Sequence, residues 1–585
     1  MKTKVLPVIL SLVMAITMGL KSKLDVSAVN VEGSMVDEQG VAFTLYDDGT
    51  ATVLGPIDRP AYGTKFVIPA EINGYRVTEI ADKAFDIGRL DSKVYSYSLD
   101  DFDYPNTNNK AMYSVTVEFQ SPNYIEIIGE RAFCGCDIPA GEIILDYLEK
   151  LEDGAFYGCN FANGRARDIY EYYDPNAYDD FEFNSVTIDI SKSSLTTLGC
   201  ETFTCCRGLR EVRLPENLSN LNNAFNCCYD LEVFKIPASV TKLNNDEFYW
   251  CRRAKLNELP PELTEIGTSA FQCCENLGFK KIPDSVVKIK SMAFANTRFK
   301  DGELTLSSGL KNIETRMFEY SELEKLNIPD TVEVLGFCMA ANSKIKCINS
   351  SIDGEINLPS SVETIKSLAF IDCENIESVN IRNGVRSIYT GAFAGCPNLR
   401  TVNDLKNSGI ANIPEGVEII GRREGYSAFG GLFFRCPGIK VVNLPRSLKR
   451  IEEEAFLNCN LEAINAPMGS KVLNLPENLE YIGYRAFEGC KFEEVNISPS
   501  VNEIRGSAFA DCPLKNIIIS PNSCLERYYS EEIANVYIHC GDDKAEEKRL
   551  TDLLTRAVQP SKLNIINHPY ESGRCLATDN NCGEF

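Results

Sequence analysis

The sequence predicts a repeat solenoid, in which short parallel β-strands stack along one axis and turns join them. Three observations lead to this prediction. A phrase of fixed spacing recurs about every 23 residues, short alternating apolar segments accompany each copy, and none of these segments has the length of a standard helix. Repeats of this length bury their apolar faces only against their neighbours, so each repeat adds one layer to a continuous core.

The recurring phrase consists of an aliphatic residue, Ala-Phe, and a Cys three residues after the Phe. One copy contains Ile128, Ala132, Phe133 and Cys136. The Phe and Cys positions predict a structural ladder inside the stack. Its further pairs are Phe156 and Cys159, Phe271 and Cys274, Phe370 and Cys373, Phe393 and Cys396, Phe456 and Cys459, Phe487 and Cys490, and Phe509 and Cys512.

Alignment on the Phe position predicts about sixteen rungs, one of which holds Ala at position 340. Most steps between rungs are 22 to 24 residues long. Insertions in a solenoid are expected to leave the stack as loops. The aligned positions are 85, 133, 156, 203, 225, 248, 271, 294, 318, 340, 370, 393, 433, 456, 487 and 509. The five longer steps fit one period plus an insertion, near 86–112, 160–184, 340–352, 400–432 and 462–472.

Each period contains two extended pieces. The first has the pattern Leu-x-x-Val-x-Ile-Pro, as in the segment from Leu323 to Pro329. Its alternation is typical of a strand, and Pro ends it because Pro cannot donate to a parallel ladder. The second piece has the pattern Val-x-x-Ile, as in the segment from Val286 to Ile289, and leads into the Ala-Phe turn. We expect stacked parallel strands joined by turns and short helical segments.

The combined pattern resembles the BspA-type (Treponema pallidum-type) leucine-rich repeat over roughly residues 66–520. The opening, with FVIP at 66–69, GYRVTEI at 74–80 and Ala84-Phe85, is similar to the usual first repeat of that family. The resemblance implies a secreted or surface-displayed protein that adheres to host proteins or to other cells. It is specific for the fold and only weakly specific for the ligand.

The N-terminus predicts export. Lys2 and Lys4 precede an apolar run from Val5 to Leu20, and small residues at 26–28 offer a cleavage point, as in a signal peptide. A signal anchor is the alternative. No transmembrane segment is expected after signal removal. The predicted domains are a signal peptide at 1–28, an N-terminal capping hairpin region at 29–65, the leucine-rich-repeat solenoid at 66–522, and a C-terminal cap and tail at 523–585.

Both caps are expected because an open stack exposes unpaired strand edges. At the N-terminal end, strands at 41–46 and 50–54 are expected to form the capping hairpin, with Asp47-Asp48-Gly49 as its turn. At the C-terminal end, a strand at 536–539 and an amphipathic helix at 542–557 are expected.

The formal charge of −24 argues against nucleic acid and anionic membranes as partners, and no basic cluster is evident along the chain. Among 23 cysteines, twelve occupy the position three residues after the Phe. Equivalent residues of stacked strands lie about 4.8 Å apart, whereas a disulfide needs Cβ atoms about 3.8 Å apart. Buried free thiols are therefore expected. These cysteines are 136, 159, 206, 228, 251, 274, 373, 396, 436, 459, 490 and 512.

Other cysteines leave alternatives open. Cys205, Cys227 and Cys273 lie two residues after their Phe positions. A soft-metal site there is disfavoured because no His and no Cys-x-x-Cys pair is close in sequence. Cys575 and Cys582 in the tail are better candidates for a disulfide. We predict no metal and no cofactor.

The sequence predicts a protein without catalytic activity. It contains two histidines, His539 and His568, and lacks a phosphate-binding glycine loop, a His-Glu-x-x-His motif and a Gly-x-Ser-x-Gly motif. An Asp/Glu pair of the glycosidase kind remains an alternative, since carboxylates are plentiful. The predicted function is protein binding or adhesion at or near the cell surface. The alternative is an extracellular scaffold or accessory protein for carbohydrate binding or degradation.

Two insertions rich in Tyr and Asp, at 91–113 and 160–184, are the predicted ligand-contact loops. Tyr supplies contact area at low entropic cost, and both insertions follow an Ala-Phe turn, so they should leave the same edge of the stack. The alternative is that the loops pack on each other and shield the early repeats. The expected partner is a protein of host matrix or of another cell surface, or a glycan. The candidate contact residues are Tyr95, Tyr97, Asp101, Asp103, Tyr104, Tyr170, Tyr172, Tyr173, Asp179 and Asp180.

Overall fold

A computed structural model describes most of the predicted solenoid and parts of both ends. The described ranges are 29–61, 63–87, 115–161, 186–422 and 430–519, with short segments at 535–538, 544–545, 548, 552, 564–567, 570–571 and 574–575. The predicted signal peptide lies outside these ranges. Of the helix expected at 542–557, residues 544–545, 548 and 552 are described and are helical.

The N-terminal region seals one end of the stack. Its strands are β1 (Val31–Val36), β2 (Val41–Tyr46), β3 (Thr50–Pro56), β4 (Thr64–Ile68), β5 (Glu71–Ile72) and β6 (Tyr75–Ile80). β1, β2 and β3 form an antiparallel meander, and β3 pairs in parallel with β6. Gly55 has a φ of 92°, and a Cβ there would lie 1.9 Å from the carbonyl oxygen of Ala84. Glycine therefore lets the hairpin of β2 and β3 lie directly against the first turn.

From residue 115 to residue 519 the strands are two to five residues long. The first group is β7 (Val115–Phe119), β8 (Ile127–Ile128), β9 (Gly141–Ile144), β10 (Lys150–Leu151), β11 (Val186–Asp189), β12 (Leu209–Arg213), β13 (Val233–Phe234), β14 (Lys242–Leu243), β15 (Glu265–Ile266) and β16 (Lys288–Ile289). The second group is β17 (Glu303–Thr305), β18 (Asn312–Ile313), β19 (Lys325–Asn327), β20 (Val334–Leu335), β21 (Cys347–Ile348), β22 (Glu355–Asn357), β23 (Thr364–Ile365), β24 (Ser378–Asn380), β25 (Ser387–Tyr389), β26 (Thr401–Val402), β27 (Ile410–Asn412) and β28 (Ile419–Arg422). The remainder is β29 (Val441–Asn443), β30 (Arg450–Ile451), β31 (Ala463–Ile464), β32 (Val472–Asn474), β33 (Tyr481–Ile482), β34 (Glu494–Asn496), β35 (Glu503–Ile504), β36 (Asn516–Ile519), β37 (Asn535–Ile538), β38 (Asn564–Asn567), β39 (Tyr570–Glu571) and β40 (Arg574–Cys575).

These strands form two parallel ladders that match the two predicted sequence patterns. The first ladder contains β4 and β7, then β9, β11, β12 and β13, then β17, β19, β21, β22, β24, β26, β27, β29, β31, β32, β34, β36, β37 and β38. The second ladder contains β6, β8 and β10, then β14 to β16, then β18, β20, β23, β25, β28, β30, β33 and β35. In both ladders the central apolar residue is buried, as at Leu326 and Leu335. The predicted solenoid of stacked parallel strands is confirmed.

The Ala-Phe turns form a third wall. In one rung the amides of Arg131, Phe133 and Gly135 donate to carbonyl oxygens of the next rung over 2.8 to 2.9 Å. Arg131 has a φ of 52°, and non-glycine residues with positive φ recur at this position along the stack. Each such residue costs roughly 1–2 kcal/mol, which the inter-rung hydrogen bonds help to offset. The short helical segments expected between strands are not found in described residues 115–519, where turns make the connections.

Phenylalanine rings stack along the core as predicted. From Phe85 to Phe318 the rings of successive rungs are nearly parallel, with centroids 5.1 to 5.9 Å apart. Ala340 interrupts the series, and Phe370 stacks on Phe393 at 5.5 Å. Rings at this spacing bury large apolar areas against each other, which ties each rung to its neighbours.

The twelve ladder cysteines are buried and free, as predicted. In eleven rungs the Sγ atom donates to the carbonyl oxygen of the residue at the Phe position of the preceding rung, over 2.9 to 3.3 Å. Burial raises the pKa of the Cys373 and Cys512 thiols to about 12. They are therefore neutral packing groups that also satisfy a backbone acceptor.

In three insertions described residues form a further strand of the stack, so the expectation that these insertions leave it as loops is wrong for those residues; residues 423–429 lie outside the described ranges. The insertions predicted near 340–352, 400–432 and 462–472 each add a strand to the first ladder: β22, β27 and β32. These strands pair in parallel with the strand before them, through Ile348 and Ile356 in the first case. A short segment with an apolar centre can join an existing ladder, and pairing is better than leaving that centre exposed.

The added strands bend the solenoid. Between β17 and β35 the first ladder has eleven strands, whereas the second ladder has eight. Three additional strands lengthen one wall by about 14 Å at the usual strand spacing. The first ladder therefore lies on the convex side of an arc. Because the added strands occur in alternate rungs, the bend is distributed along this part of the chain.

Candidate ligand-binding surface

Both Tyr/Asp-rich insertions lie between an Ala-Phe turn and the next strand of the first ladder, although the last described residues before them, Ile87 and Phe161, lie two and five residues after their Phe positions. The first begins after Ile87, whose amide donates to Cys134 O over 3.1 Å, and ends at Val115, where β7 starts. The second begins after Phe161 and ends at Val186, where β11 starts. Both depart from the edge between the Ala-Phe turns and the first ladder, which we call the insertion edge. The two departures are two rungs, or about 10 Å, apart.

The predicted contact residues on these insertions lie outside the described residues. They are Tyr95, Tyr97, Asp101, Asp103, Tyr104, Tyr170, Tyr172, Tyr173, Asp179 and Asp180. The structure therefore gives the anchor points of both insertions and not the positions of these side chains. His539, Cys540, His568 and Cys582 also lie outside the residues whose side chains are described.

The base of the insertion edge is a hydrogen-bonded column. Asp137, Asn160 and Arg207 occupy equivalent positions in successive rungs and are joined by parallel backbone bridges. Asn160 Nδ2 donates to Asp137 Oδ1 over 3.0 Å. Arg131 Nε donates to the buried carboxylate of Asp86 over 2.9 Å just before the first insertion. These contacts hold the anchor points of both insertions in a fixed arrangement.

The same column continues into a cationic groove that sequence reasoning missed. The groove has a volume of about 540 Å³ and carries five cations and two carboxylates. Three of its cations come from the short run Arg252-Arg253-Ala254-Lys255, and the other two, Arg298 and Lys300, come from a rung two periods later, so the sequence shows only part of the cluster. The expectation that the chain has no basic cluster is wrong at this place. The residues that line the cationic groove are Glu232, Arg252, Arg253, Lys255, Glu275, Asn276, Arg298 and Lys300.

An asparagine ladder along the convex face was also missed. Ten successive strands of the first ladder, β19 to β34, end in Asn or are followed by it. Asn380 Nδ2 donates to Asn357 Oδ1 over 2.6 Å, and Asn443 donates to Asn412 over 2.7 Å. These side-chain amides hydrogen-bond to each other between adjacent strands, so they stabilise the first ladder. The ladder comprises Asn327, Asn349, Asn357, Asn380, Asn403, Asn412, Asn443, Asn465, Asn474 and Asn496.

Three members of this ladder, Asn349, Asn403 and Asn465, come shortly before the added strands β22, β27 and β32. Their φ values are 48 to 50°. Asn349 Oδ1 accepts the amide of Ile328 over 2.8 Å, and its Nδ2 donates to Ile328 O over 3.0 Å. Asn adopts positive φ more readily than other non-glycine residues. In the sequence, an added strand is indicated where the Asn that follows a strand centre is not itself followed by the usual apolar residue and Pro.

The opposite, concave wall presents cations over aromatic rings. Lys366 Nζ lies 4.7 Å from the ring centroid of Tyr389, and the guanidinium of Arg450 lies 4.0 Å from that of Tyr481. Both tyrosines are buried beneath these cations. The contacts are favourable cation–π pairs within the wall.

The cysteines outside the ladder do not form a metal site in the described part of the chain. Cys200 is exposed and Cys205 and Cys273 are half-buried, whereas Cys227 is buried. Burial raises the pKa of Cys273 to about 12. Within the described ranges, no group of three or more His, Cys, Asp or Glu side chains is placed to hold a metal ion. Those ranges also contain no helix long and apolar enough to cross a membrane.

A parallel stack whose rungs each combine a Leu-x-x-Val-x-Ile-Pro strand, a short second strand and an Ala-Phe turn defines a leucine-rich-repeat protein. The chain belongs to the BspA-type leucine-rich-repeat family. The family model described as BspA type Leucine rich repeat region (6 copies) matches residues 107–223, 172–300, 221–346, 347–472 and 469–537. The resemblance inferred from the repeat pattern is thus confirmed.

Solved structures with a similar fold come from bacteria. A leucine-rich repeat protein from Bacteroides ovatus is 24% identical, with 57% of this chain and 87% of that chain covered and a TM-score of 0.40. A leucine rich cell surface protein from Faecalibacterium prausnitzii is 18% identical, with 84% and 95% covered and a TM-score of 0.31. The pneumococcal vaccine antigen PcpA is 17% identical, with 92% and 99% covered and a TM-score of 0.32. No curated protein matches the chain.

Proposed function

We propose that this protein is an exported, non-catalytic binding protein that mediates adhesion through protein contacts at or near the cell surface. The observation that carries the proposal is the common anchoring of the two Tyr/Asp-rich insertions at Ile87 and Phe161 on one edge of the stack. Membership of a leucine-rich-repeat family supports a protein-binding role. The N-terminal signal-like segment at 1–28 supports export.

The ligand would contact the insertions while the solenoid acts as a rigid support. The base column of Asp137, Asn160 and Arg207 fixes the two insertions about 10 Å apart, so one partner could contact both. Tyr side chains provide large, rigid contact areas with few rotatable bonds, and they dominate many binding surfaces. The proposed contact residues are the tyrosines and aspartates of 91–113 and 160–184.

The proposal is tested by binding of the mature chain to immobilised matrix glycoproteins and to intact cells. Replacing Tyr170, Tyr172 and Tyr173 with Ser should abolish most of the binding. The matched control replaces three exposed tyrosines of the solenoid, Tyr147, Tyr320 and Tyr484, with Ser and should bind normally.

A second variant shortens the insertions 91–113 and 160–184 to the bare period by removing residues within 91–113 and 162–184, so that Asn160 and the buried Phe161 are kept. Its thermal stability should be nearly unchanged because loop length costs little free energy. Undiminished binding by this variant would show that the ligand contacts another surface.

A further inference from the structure

We propose that the cationic groove on the insertion edge binds an anionic polysaccharide. The groove is lined by residues 232–300, in rungs that follow those carrying the two insertions, so this inference does not depend on the protein ligand proposed for them. It rests on three features: an excess of positive charge in a strongly acidic chain, a regular spacing of that charge along the axis, and an aromatic border.

The positive charge of the groove is only partly neutralised by the chain itself. Its lining carries five cations against two carboxylates, although the whole chain has a formal charge of −24. Arg252 pairs with Glu275, and Lys255 pairs with Glu232. Among the described residues, Lys300 makes no ion pair and its side chain is exposed. An anionic ligand would therefore meet preoriented cations without displacing every internal partner.

The remaining lining cations pair with carboxylates outside the lining. Arg253 lies 3.9 Å from Asp230, and Arg298 lies 3.3 Å from Glu322. The Arg298 and Glu322 side chains are both mostly exposed, so their ion pair contributes little because water competes for both partners. An incoming sulfate or carboxylate can therefore replace or bridge Glu322 at small cost, whereas the partly buried Asp230 also accepts the amide of Gly208 and stays in place. The pairs keep the cations extended in the absence of ligand.

The cations repeat along the solenoid axis. Arg252 and Arg298 occupy equivalent column positions two rungs apart, with Glu275 at the rung between them. Two rungs correspond to about 10 Å. A polymer that carries an anion on each repeating unit can contact cations in several rungs at once. A single small anion would use only one of them.

An aromatic border favours sugar rings over an acidic peptide. Trp250, the single tryptophan of the chain, is half-buried beside the groove, with the Arg252 guanidinium 5.8 Å from its ring centroid. Tyr229 contacts the same ring edge-on, with centroids 6.0 Å apart. Flat aromatic groups pack against apolar faces of ligands while neighbouring cations hold the charged groups. A polyanionic peptide offers charges without such faces.

Trp250 also provides a local readout, because all tryptophan fluorescence of the protein arises next to the groove. The full chain is titrated with dextran sulfate, with polygalacturonate, with neutral dextran and with polyglutamate of matched charge. We expect saturable fluorescence changes with one or both anionic polysaccharides, and binding that weakens as salt is raised. Response to dextran sulfate alone would identify sulfate as the preferred group, and response to polygalacturonate alone would identify carboxylate.

A triple variant, Lys255→Gln, Arg298→Gln and Lys300→Gln, should bind at least about tenfold more weakly, since it loses three charge-assisted contacts. The matched control is Lys311→Gln, Lys346→Gln and Lys449→Gln, which removes equal charge from exposed, Glu-paired positions elsewhere. The control should retain wild-type affinity. The single variant Lys300→Gln, at an exposed residue, should show a smaller loss in the same direction.

Three outcomes would overturn the proposal. Equal binding of neutral dextran would show that the charge plays no part. Equal binding of polyglutamate would assign the groove to acidic peptides. Equal loss in the groove variant and in the control variant would show that only the overall charge matters.

Discussion

At the scale of single residues, the position three after the Phe holds a small side chain that fits beside the aromatic stack. Cysteine fills it in twelve rungs, and its Sγ reaches the carbonyl oxygen of the preceding rung, as in Cys228. Thr297, Ser321 and Ser343 occupy the same position in three of the four rungs that lack this cysteine, and Gly88 occupies it in the fourth. The position is thus defined by small size rather than by thiol chemistry.

Glu247 is a buried carboxyl group at the position directly before Phe248, where most rungs have the Ala of Ala-Phe. Its Oε1 accepts the amide of Ala224 over 3.1 Å, and its Oε2 accepts Asn244 Nδ2 over 3.1 Å. Burial raises the pKa of Glu247 from its ordinary value of 4.5 to about 7. A carboxyl group with a raised pKa prefers to keep its proton in the folded state.

This shift predicts a pH dependence of stability. Below pH 4.5 both states are protonated at Glu247, and between pH 4.5 and 7 the unfolded chain loses its proton first. Raising the pH through this window should lower the free energy of unfolding by about 3 kcal/mol. Glu247→Gln should remove this component from denaturation curves measured between pH 4 and 8.

The control for Glu247 is Glu262→Gln, at an exposed carboxylate directly after Pro260-Pro261. It should leave the pH dependence of wild type intact. If Glu247→Gln and Glu262→Gln give the same curve as wild type, Glu247 is not protonated in the folded state at neutral pH.

At the scale of elements, the rung is held by its own stack and by its two neighbours. Phe393 is fully buried and lies between Phe370 at 5.5 Å and Phe433 at 6.2 Å. Phe393→Ala should lower the free energy of unfolding by about 3–5 kcal/mol, as large core truncations do. Because repeats couple to their neighbours, hydrogen exchange should rise first in β24, β25 and β28.

Tyr320→Ala is the matched control for this truncation, since Tyr320 is 53% exposed on the turn of Phe318, three rungs earlier. It should change exchange little. Uniform loss of protection from β7 to β35 in the Phe393 variant would mean that the solenoid unfolds as one unit, contrary to the expectation.

The element scale also shows what the sequence can and cannot predict. The two strand patterns and the Phe and Cys ladders were predictable because each places an apolar residue at a fixed step, as in Leu326 and Phe133. The left-handed residues of the turn were not, since Arg131 or Glu201 carries no sequence sign of positive φ. The cationic groove was missed because Arg252 and Arg298 become neighbours only when the rungs stack.

At the scale of the whole molecule, the three added strands set the curvature. The residues on both sides of each added strand are such that removing the strand restores the ordinary repeat pattern. Deleting 350–357, 404–412 and 466–474 joins Asn349, Asn403 and Asn465 to the apolar-Pro pairs at 358–359, 413–414 and 475–476. The three junctions then read Ile-Asn-Leu-Pro, Val-Asn-Ile-Pro and Ile-Asn-Leu-Pro, which follow the same apolar-Asn-apolar-Pro pattern as Leu-Asn-Ile-Pro at 326–329.

The triple deletion should straighten the solenoid between β17 and β35. Small-angle X-ray scattering should show a larger maximum dimension despite the smaller mass, because the two ladders then have equal numbers of strands. Thermal stability should change little, since every remaining rung keeps its neighbours. The loop-shortened variant of 91–113 and 160–184 serves as the control and should keep its curvature.

An unchanged shape after the triple deletion would mean that twist of the walls, and not unequal strand number, produces the bend. Removing one added strand at a time should give intermediate shapes, since the three strands lie in alternate rungs.

The Ala-Phe turns also give the stack a direction. In most turns the amides two before, at, and two after the Phe donate towards the C-terminal neighbour, as Phe133 does to Ala155, and the matching carbonyls face the N-terminal neighbour. Any inner rung can therefore be duplicated or lost and still present matching faces to both sides. The two ends are not interchangeable: the hairpin that rests Gly55 on the carbonyl of Ala84 covers an acceptor face and could not cover a donor face. Such a protein can change in length through its middle while its ends remain distinct.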